Sequence, residues 1–272
     1  MGKKIICIDS DGCAMDTMTI KHVHMFGPLA VEVFQIKDEA AFLQRWNEVN
    51  LYSMTRGINR FQSLAKLLNE FSASIGIEDF SLDELTEWVD TTPEFSEAAL
   101  EKAADRTGDL MLHKALEWSQ LVNQGIAQDL GVAQLQPFSG VLAALQIIKS
   151  KGLEIAIVSS ANEQAIKTEW THYGLMQYVD YVYGQSFGHK SDCVKDLLEQ
   201  KGYSKENILL LGDAVGDRDA ALQNDIFFYP ILVRKEGESW KEFTDTYLDI
   251  FISGAFDQVQ ASILDRFSKQ FD

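Results

Sequence analysis

Two hydrophobic periods divide this chain. Ile5-Ile6-Cys7-Ile8 is an unbroken apolar run rich in β-branched residues, the pattern of a strand buried on both faces. Comparable runs at 153–158 and 207–211 predict two more such strands, and shorter ones are expected at 178–183 and 226–233. Pro230 interrupts the last of these, which suits a sheet edge, where a missing N–H costs no ladder bond. Between the runs the period lengthens to that of helices. Val141, Leu142, Leu145 and Ile148 precede Gly152; 162–173 precedes Gly174; 191–201 precedes Gly202; a last helix is expected at 255–267. Strands alternating with helices predict a parallel sheet with right-handed crossovers.

The stretch 16–135 has another rhythm. Phe42, Trp46 and Val49, then Ile58, Phe61, Leu64, Ala65 and Leu68, recur at helical spacing, as apolar faces of amphipathic helices do. Ser81-Leu82-Asp83-Glu84 has the form of a capping box ahead of Leu85 and Trp88. Thr92-Pro93 suggests an N-cap followed by proline at the first helical position. Residues 108–128 read as one long helix carrying Leu112, Leu116, Trp118 and Val122. No strand pattern comparable to 5–8 occurs in the stretch. The expected organisation is α/β: a core of residues 1–15 and 136–272, with an all-helical domain, 16–135, inserted after the first strand.

Composition narrows the function classes. The 272 residues can bury a sizeable core, and the hydrophobic fraction of 46% is ordinary for a soluble globular protein. A net charge of −17 opposes general binding to nucleic acid or to an anionic membrane surface, because no surplus of cations exists to displace counterions. No run approaches the ~18 apolar residues of a membrane span. Met1-Gly2-Lys3-Lys4 leads straight into a strand without an apolar leader, so a cytoplasmic protein is expected. Cys7, Cys13 and Cys193 form no close metal-binding pair and read as reduced thiols. The five histidines are scattered without HExxH spacing, which argues against zinc.

The candidate chemistry lies at strand ends. After Ile8 come Asp9-Ser10-Asp11-Gly12; residues two apart in an extended chain point the same way, so Asp9 and Asp11 share one side of the sheet end. Two such charges about 4 Å apart repel by roughly 4 kcal/mol at an effective dielectric near 20. A hard cation such as Mg²⁺ offsets that, and Gly12 permits a positive φ or a close backbone approach. Ser159 follows the second strong run, Gly188-His189-Lys190 a third, and Gly212-Asp213 with Asp217 a fourth. Parallel strands bring these ends to one crevice. Phosphoryl transfer needs such parts: nucleophile, acid/base, cation and oxygen-binding donors. Taken singly, Ser159 also reads as a helix cap, Lys190 as a surface lysine, and Asp213 and Asp217 as first-turn acids of a helix.

Taken together, these pieces resemble the haloacid dehalogenase superfamily. The resemblance rests on Asp9-Ser10-Asp11-Gly12 with Asp16, on Val158-Ser159, on Lys190, and on Gly212-Asp213-Ala214-Val215-Gly216-Asp217 in GDxxxD form; Pro137-Phe138-Ser139-Gly140-Val141 matches the return into the core. It implies a three-layer Rossmann-like core and a helical cap. It also implies Mg²⁺-dependent hydrolysis of a small phosphorylated metabolite, with Asp9 as nucleophile and Asp11 as general acid/base. Ser159, with backbone N–H groups near Gly12 and Ser160, would hold phosphoryl oxygens, and Lys190 would neutralise charge. The metal set would be Asp9, Asp11 (through its carbonyl), Asp213 and Asp217. Dehalogenase members lack an acid two residues after the nucleophile, so Asp11 favours phosphate chemistry. Cys13 stands where Thr or Val is usual and reads as a buried packing thiol.

Within the insertion, Arg56 and Arg60 are four residues apart, with Asn59 beside them. They share a helical face if the helix runs that far, and paired guanidiniums suit a carboxylate or second phosphate on the substrate. Pairing with the abundant surface acids is the competing explanation. His22 and His24 fall near the start of the insertion, where a binding or pH-sensing role would be open to them. A phosphomutase of the same superfamily and a non-catalytic phosphate-binding scaffold are the alternatives. The substrate and the choice between monomer and homodimer stay open at this level.

Overall fold

The computed structural model describes residues 2–128, 131 and 134–271. They fall into two compact units, Met1–Met18 with Val132–Asp272, and Thr19–Gly131. In chain order the first strand, β1 (Ile5–Ile8), is followed by α1 (Met18–Lys21), a π-helical turn His22–Phe26, α2 (Gly27–Phe34) and α3 (Glu39–Leu51). Next come α4 (Arg60–Glu70), α5 (Asp83–Thr91), α6 (Glu97–Thr107) and α7 (Leu110–Gln128). The chain then alternates: α8 (Val141–Ser150), β2 (Glu154–Val158), α9 (Glu163–His172), β3 (Tyr181–Tyr183), α10 (Lys190–Glu199), β4 (Ile208–Gly212), α11 (Val215–Gln223) and β5 (Phe227–Pro230). It closes with α12 (Glu236–Glu242), a second π-helical turn Phe243–Tyr247, α13 (Leu248–Ser253) and α14 (Asp257–Ser268).

The first unit is a five-stranded parallel sheet in the order β3-β2-β1-β4-β5. β1 lies at its centre, and its side chains alternate between two cores. Ile6 and Ile8 pack with α8 and α9, through Leu145, Ile148, Ile166 and Trp170. Ile5 and Cys7 pack with α10 and α11, through Val194, Leu197 and Ala221. Burial on both faces explains the unbroken apolar run. Pro230 ends β5 at the sheet edge, as its missing N–H requires.

Among its described residues the second unit has helices as its only regular elements, joined by turns and loops, with one isolated bridge between Ile36 and Ile75. Its core is aromatic: Phe42, Trp46, Phe61 and Trp118 are buried, and Trp118 meets Phe26, Trp46 and Phe61 edge to face, the arrangement ring quadrupoles favour.

Several boundaries differ from expectation. Ser81 does not cap α5; Leu82 is the cap residue, and the Ser81 hydroxyl accepts from the Asp83 N–H and donates to Asp83 Oδ2 in a local turn. Thr92 closes α5 rather than opening a helix, and Ser96 caps α6 by accepting from Ala99 N–H. Gly108 ends α6 with a φ of +69°, so the long helix starts at Leu110. Met176–Tyr178 is a 3₁₀ turn, which shortens the expected strand to Tyr181–Tyr183.

Candidate active site

The register of the sheet aligns the chemistry. Ile8 is level with Ile157 of β2 and with Leu211 of β4. Asp9, Ser159 and Asp213 therefore emerge from adjacent strands at one edge. From β1 the chain proceeds to β2 and β3 on one side, then crosses to β4 and β5 on the other. The switch point between β1 and β4 is where an open α/β sheet leaves a crevice for ligands, and Asp9 and Asp213 flank it.

The two helices that follow bring the other charges. Lys190 is the first residue of α10 and Asp217 lies in the first turn of α11. Lys190 Nζ lies 2.8 Å from Asp9 Oδ1 and 2.6 Å from Asp217 Oδ1. The other oxygen of Asp217 accepts the Ala214 N–H at 3.1 Å. The backbone before Lys190 turns at Gly188, whose φ of 123° and ψ of −153° are accessible essentially to glycine alone. Asp9, Asp213 and Asp217 are buried, and one carboxylate oxygen of each lies within 4.8 Å of the others.

Electrostatics follow from this crowding. Burial pushes the Asp9 carboxyl above its ordinary value, Lys190 opposes the shift, and Asp217 and Asp11 add to it. Asp217 is raised for the same first reason. Burial disfavours the Lys190 ammonium, yet Asp217 and Asp9 outweigh that and hold it well above the usual lysine range. The lysine is thus a fixed positive charge within a group of three carboxylates. All-oxygen, anionic donors at this spacing fit a hard divalent cation, so the residues present suit Mg²⁺.

Asp11 is steadied separately. Gly12 takes a φ of +86° and donates its N–H to Met15 O at 2.9 Å, turning the chain back on itself. The buried Thr17 hydroxyl consequently reaches Asp11 Oδ1 at 2.6 Å. Thr17 escaped the sequence reading because a hydroxyl six residues on meets the acid only through that turn. Ser159 Oγ accepts the Ala161 N–H at 3.2 Å, while Ser160 is exposed. Cys13 is buried, and burial with the nearby carboxylates Asp9, Asp213 and Asp217 keeps its thiol protonated.

The insertion residues are arranged differently from expectation. α4 begins at Arg60, so Arg56 and Arg60 do not share a helix face; Asn59 stops the helix from extending back by capping it, accepting from Phe61 N–H. Arg56 is buried and donates to Leu51 O at the end of α3. Arg60 donates to Asn123 Oδ1 and Ser119 Oγ of α7 and lies 5.2 Å from the Phe26 ring centre. His22 Nδ1 accepts from Trp46 Nε1 at 3.1 Å and its ring stacks on Phe26, whereas His24 is exposed.

Known structures share this architecture. A haloacid dehalogenase-like family hydrolase from Streptococcus pneumoniae is 14% identical, with a TM-score of 0.52 over 88% of this chain and 91% of that one. A protein named as a phosphoglycolate phosphatase from Lactobacillus delbrueckii subsp. bulgaricus is 14% identical, with a TM-score of 0.54 over 85% and 86%. The β-phosphoglucomutase of Clostridium difficile is 18% identical, with a TM-score of 0.52 over 91% and 99%. At these identities the likeness is one of fold. No curated protein matches the chain. A family model described as haloacid dehalogenase-like hydrolase matches residues 58–230, which include Ser159, Lys190, Asp213 and Asp217 and begin after Asp9. That span is well over half of the sequence, and with the fold around it this chain belongs to the haloacid dehalogenase-like hydrolases.

Proposed function

We propose that this protein is a Mg²⁺-dependent phosphomonoesterase acting on a small phosphorylated metabolite through a phosphoryl group carried on Asp9. The observation that carries the reading is the buried cluster of Asp9, Asp213 and Asp217 around Lys190 at the sheet's switch point. In the first step Asp9 attacks phosphorus, the bond to the leaving oxygen breaks, and Asp11 gives that oxygen its proton. In the second, Asp11 takes a proton from water; the water attacks phosphorus, frees phosphate and restores Asp9. Lys190 keeps Asp9 ionised and offsets phosphoryl charge. The Ser159 hydroxyl hydrogen, with backbone N–H groups around Gly12 and Ser160, is assigned to the phosphoryl oxygens, although the Gly12 N–H already serves Met15 O. Mg²⁺, assigned to Asp9, Asp213 and Asp217 with the Asp11 carbonyl, neutralises developing charge when bound.

Substrate choice we assign to the helical unit, as a cap, with Arg60 the candidate for an acidic group on the substrate. Arg56 and Asn59 are weaker candidates because both hold helix ends. The test is phosphate release from a panel of phosphorylated metabolites with Mg²⁺, wild type against Asp9→Asn. Loss of on the order of a thousandfold in kcat supports the reading; unchanged turnover rejects Asp9 as nucleophile. Isotopically labelled phosphate appearing on a sugar hydroxyl rather than in water would favour a mutase.

A further inference from the structure

We propose that two buried tryptophans, Trp170 and Trp240, are positioning residues that hold the loop carrying Asp9, acting through Ser10 and Cys13. The inference rests on the phosphoryl-transfer reading above. Trp170 Nε1, from α9, donates to Ser10 Oγ at 2.9 Å. Trp240 Nε1, from α12, donates to the Cys13 carbonyl at 2.9 Å. All four residues are fully buried.

The alternation of β1 explains why the first contact is unusual. Ile6 and Ile8 point into the core formed with α8 and α9, and Ser10 continues that series of even positions at the strand's end. An apolar side chain would pack there; a buried hydroxyl requires a partner, and Trp170 supplies it. Ser10 sits between Asp9 and Asp11, so a tilt of its backbone moves both carboxylates. The loop is also closed on itself by Ala14 and Met15 N–H groups to Ser10 O, at 3.0 and 2.8 Å, and anchored by Asp9 N–H to Leu211 O at 3.0 Å. Those bonds fix its shape and its attachment to β4. The indoles tie it to two helices, α9 and α12, whose tryptophans share the core on one face of the sheet. Trp240 lies beyond residue 230, where the family match stops, so the C-terminal helices of this chain contribute to holding the nucleophile loop.

The experiment compares Trp170→Phe, Trp240→Phe, Ser10→Ala and the Trp170→Phe/Ser10→Ala double variant with wild type, using one phosphomonoester and saturating Mg²⁺. Amide hydrogen exchange of residues 9–15 is followed in the same proteins. Because an error of about 1 Å in placing a reacting group can cost about a hundredfold, a partial loosening is expected to lower kcat by about tenfold in each single variant, with KM within about twofold. Exchange in the loop should quicken, and the double variant should be no slower than its worse parent, since both changes remove one bond. Ile148→Val, in the same core, should lower Tm while leaving kcat unchanged. Ser10→Ala, which removes one oxygen, carries the test if a Phe variant fails to fold, and Ser10→Thr should restore the rate. Folded variants with wild-type kcat, or a double variant whose losses multiply, would overturn the proposal. A wild-type chain that hydrolyses no phosphomonoester would overturn the underlying reading and this inference with it, a result visible before any variant is made.

Discussion

Gly212 and Asp217 are packed so closely that a Cβ on Gly212 would sit 2.2 Å from Asp217 Cγ. The absence of a side chain at the end of β4 is what lets the carboxylate lie against the strand and meet Lys190. Gly212→Ala should therefore displace Asp217, at a cost typical of overpacking, about 1–3 kcal/mol in stability. Phosphate release should fall far more than the melting temperature implies. Activity near wild type in this variant would mean that Asp217 has freedom to move.

Lys190 bridges two buried carboxylates, so its removal leaves both without their shared ammonium. Lys190→Met should destabilise the chain by about 3–5 kcal/mol near neutral pH. The raised lysine pKa keeps its own charge constant below the ordinary value of 10.5. The pH dependence of the deficit therefore comes from the carboxylates: small where they are protonated, growing as pH rises and they ionise. Denaturant melts of variant and wild type across the acid range measure it.

Burial raises the Asp9 carboxyl from 3.8 to about 6 in the metal-free protein. A raised carboxyl pKa means that the folded state holds a proton the unfolded chain has released. Its contribution favours the fold at low pH and is lost as pH climbs from the ordinary value through the folded one. Asp9→Asn should flatten that part of the metal-free stability profile. Mg²⁺ affinity should rise over the same interval, because the metal competes with the proton. Calorimetric titration at several pH values checks this; affinity independent of pH would place the metal elsewhere.

Arg60 joins α4 to α7 through Ser119 and Asn123, and Asn123 and Ser119 both donate onward to Glu97 of α6. Arg60→Ala should lower stability by about 1–2 kcal/mol, from lost hydrogen bonds and the contact with the Phe26 ring. Both hydrogen bonds leave from Nη1 alone, so Arg60→Lys should recover part of it. If Arg60 also binds the substrate's acidic group, KM for the true substrate rises more than for a generic aryl phosphate.

The core strands and the acids at their ends were legible because both signals are local: an apolar run followed by a carboxylate names its own position. Helix ends were less so. Thr92-Pro93 has the composition of a helix start, yet tertiary packing of Trp88 carries α5 up to it. The region between β5 and the last helix was missed because the π turn at Phe243–Tyr247 breaks the helical spacing of its aromatic residues. Lys190 carried no mark of burial in its own segment; only the sheet's topology brings it to Asp9. The indole contacts of Trp170 and Trp240 span 160 and 227 residues, and no local pattern encodes them.

The most direct measurement is a rapid acid quench during turnover of a phosphomonoester, followed by mass spectrometry of the peptides. We expect one phosphoryl group on the peptide containing Asp9, absent from Asp9→Asn. Sustained turnover with the phosphoryl group on another residue, or on none, would contradict the assignment.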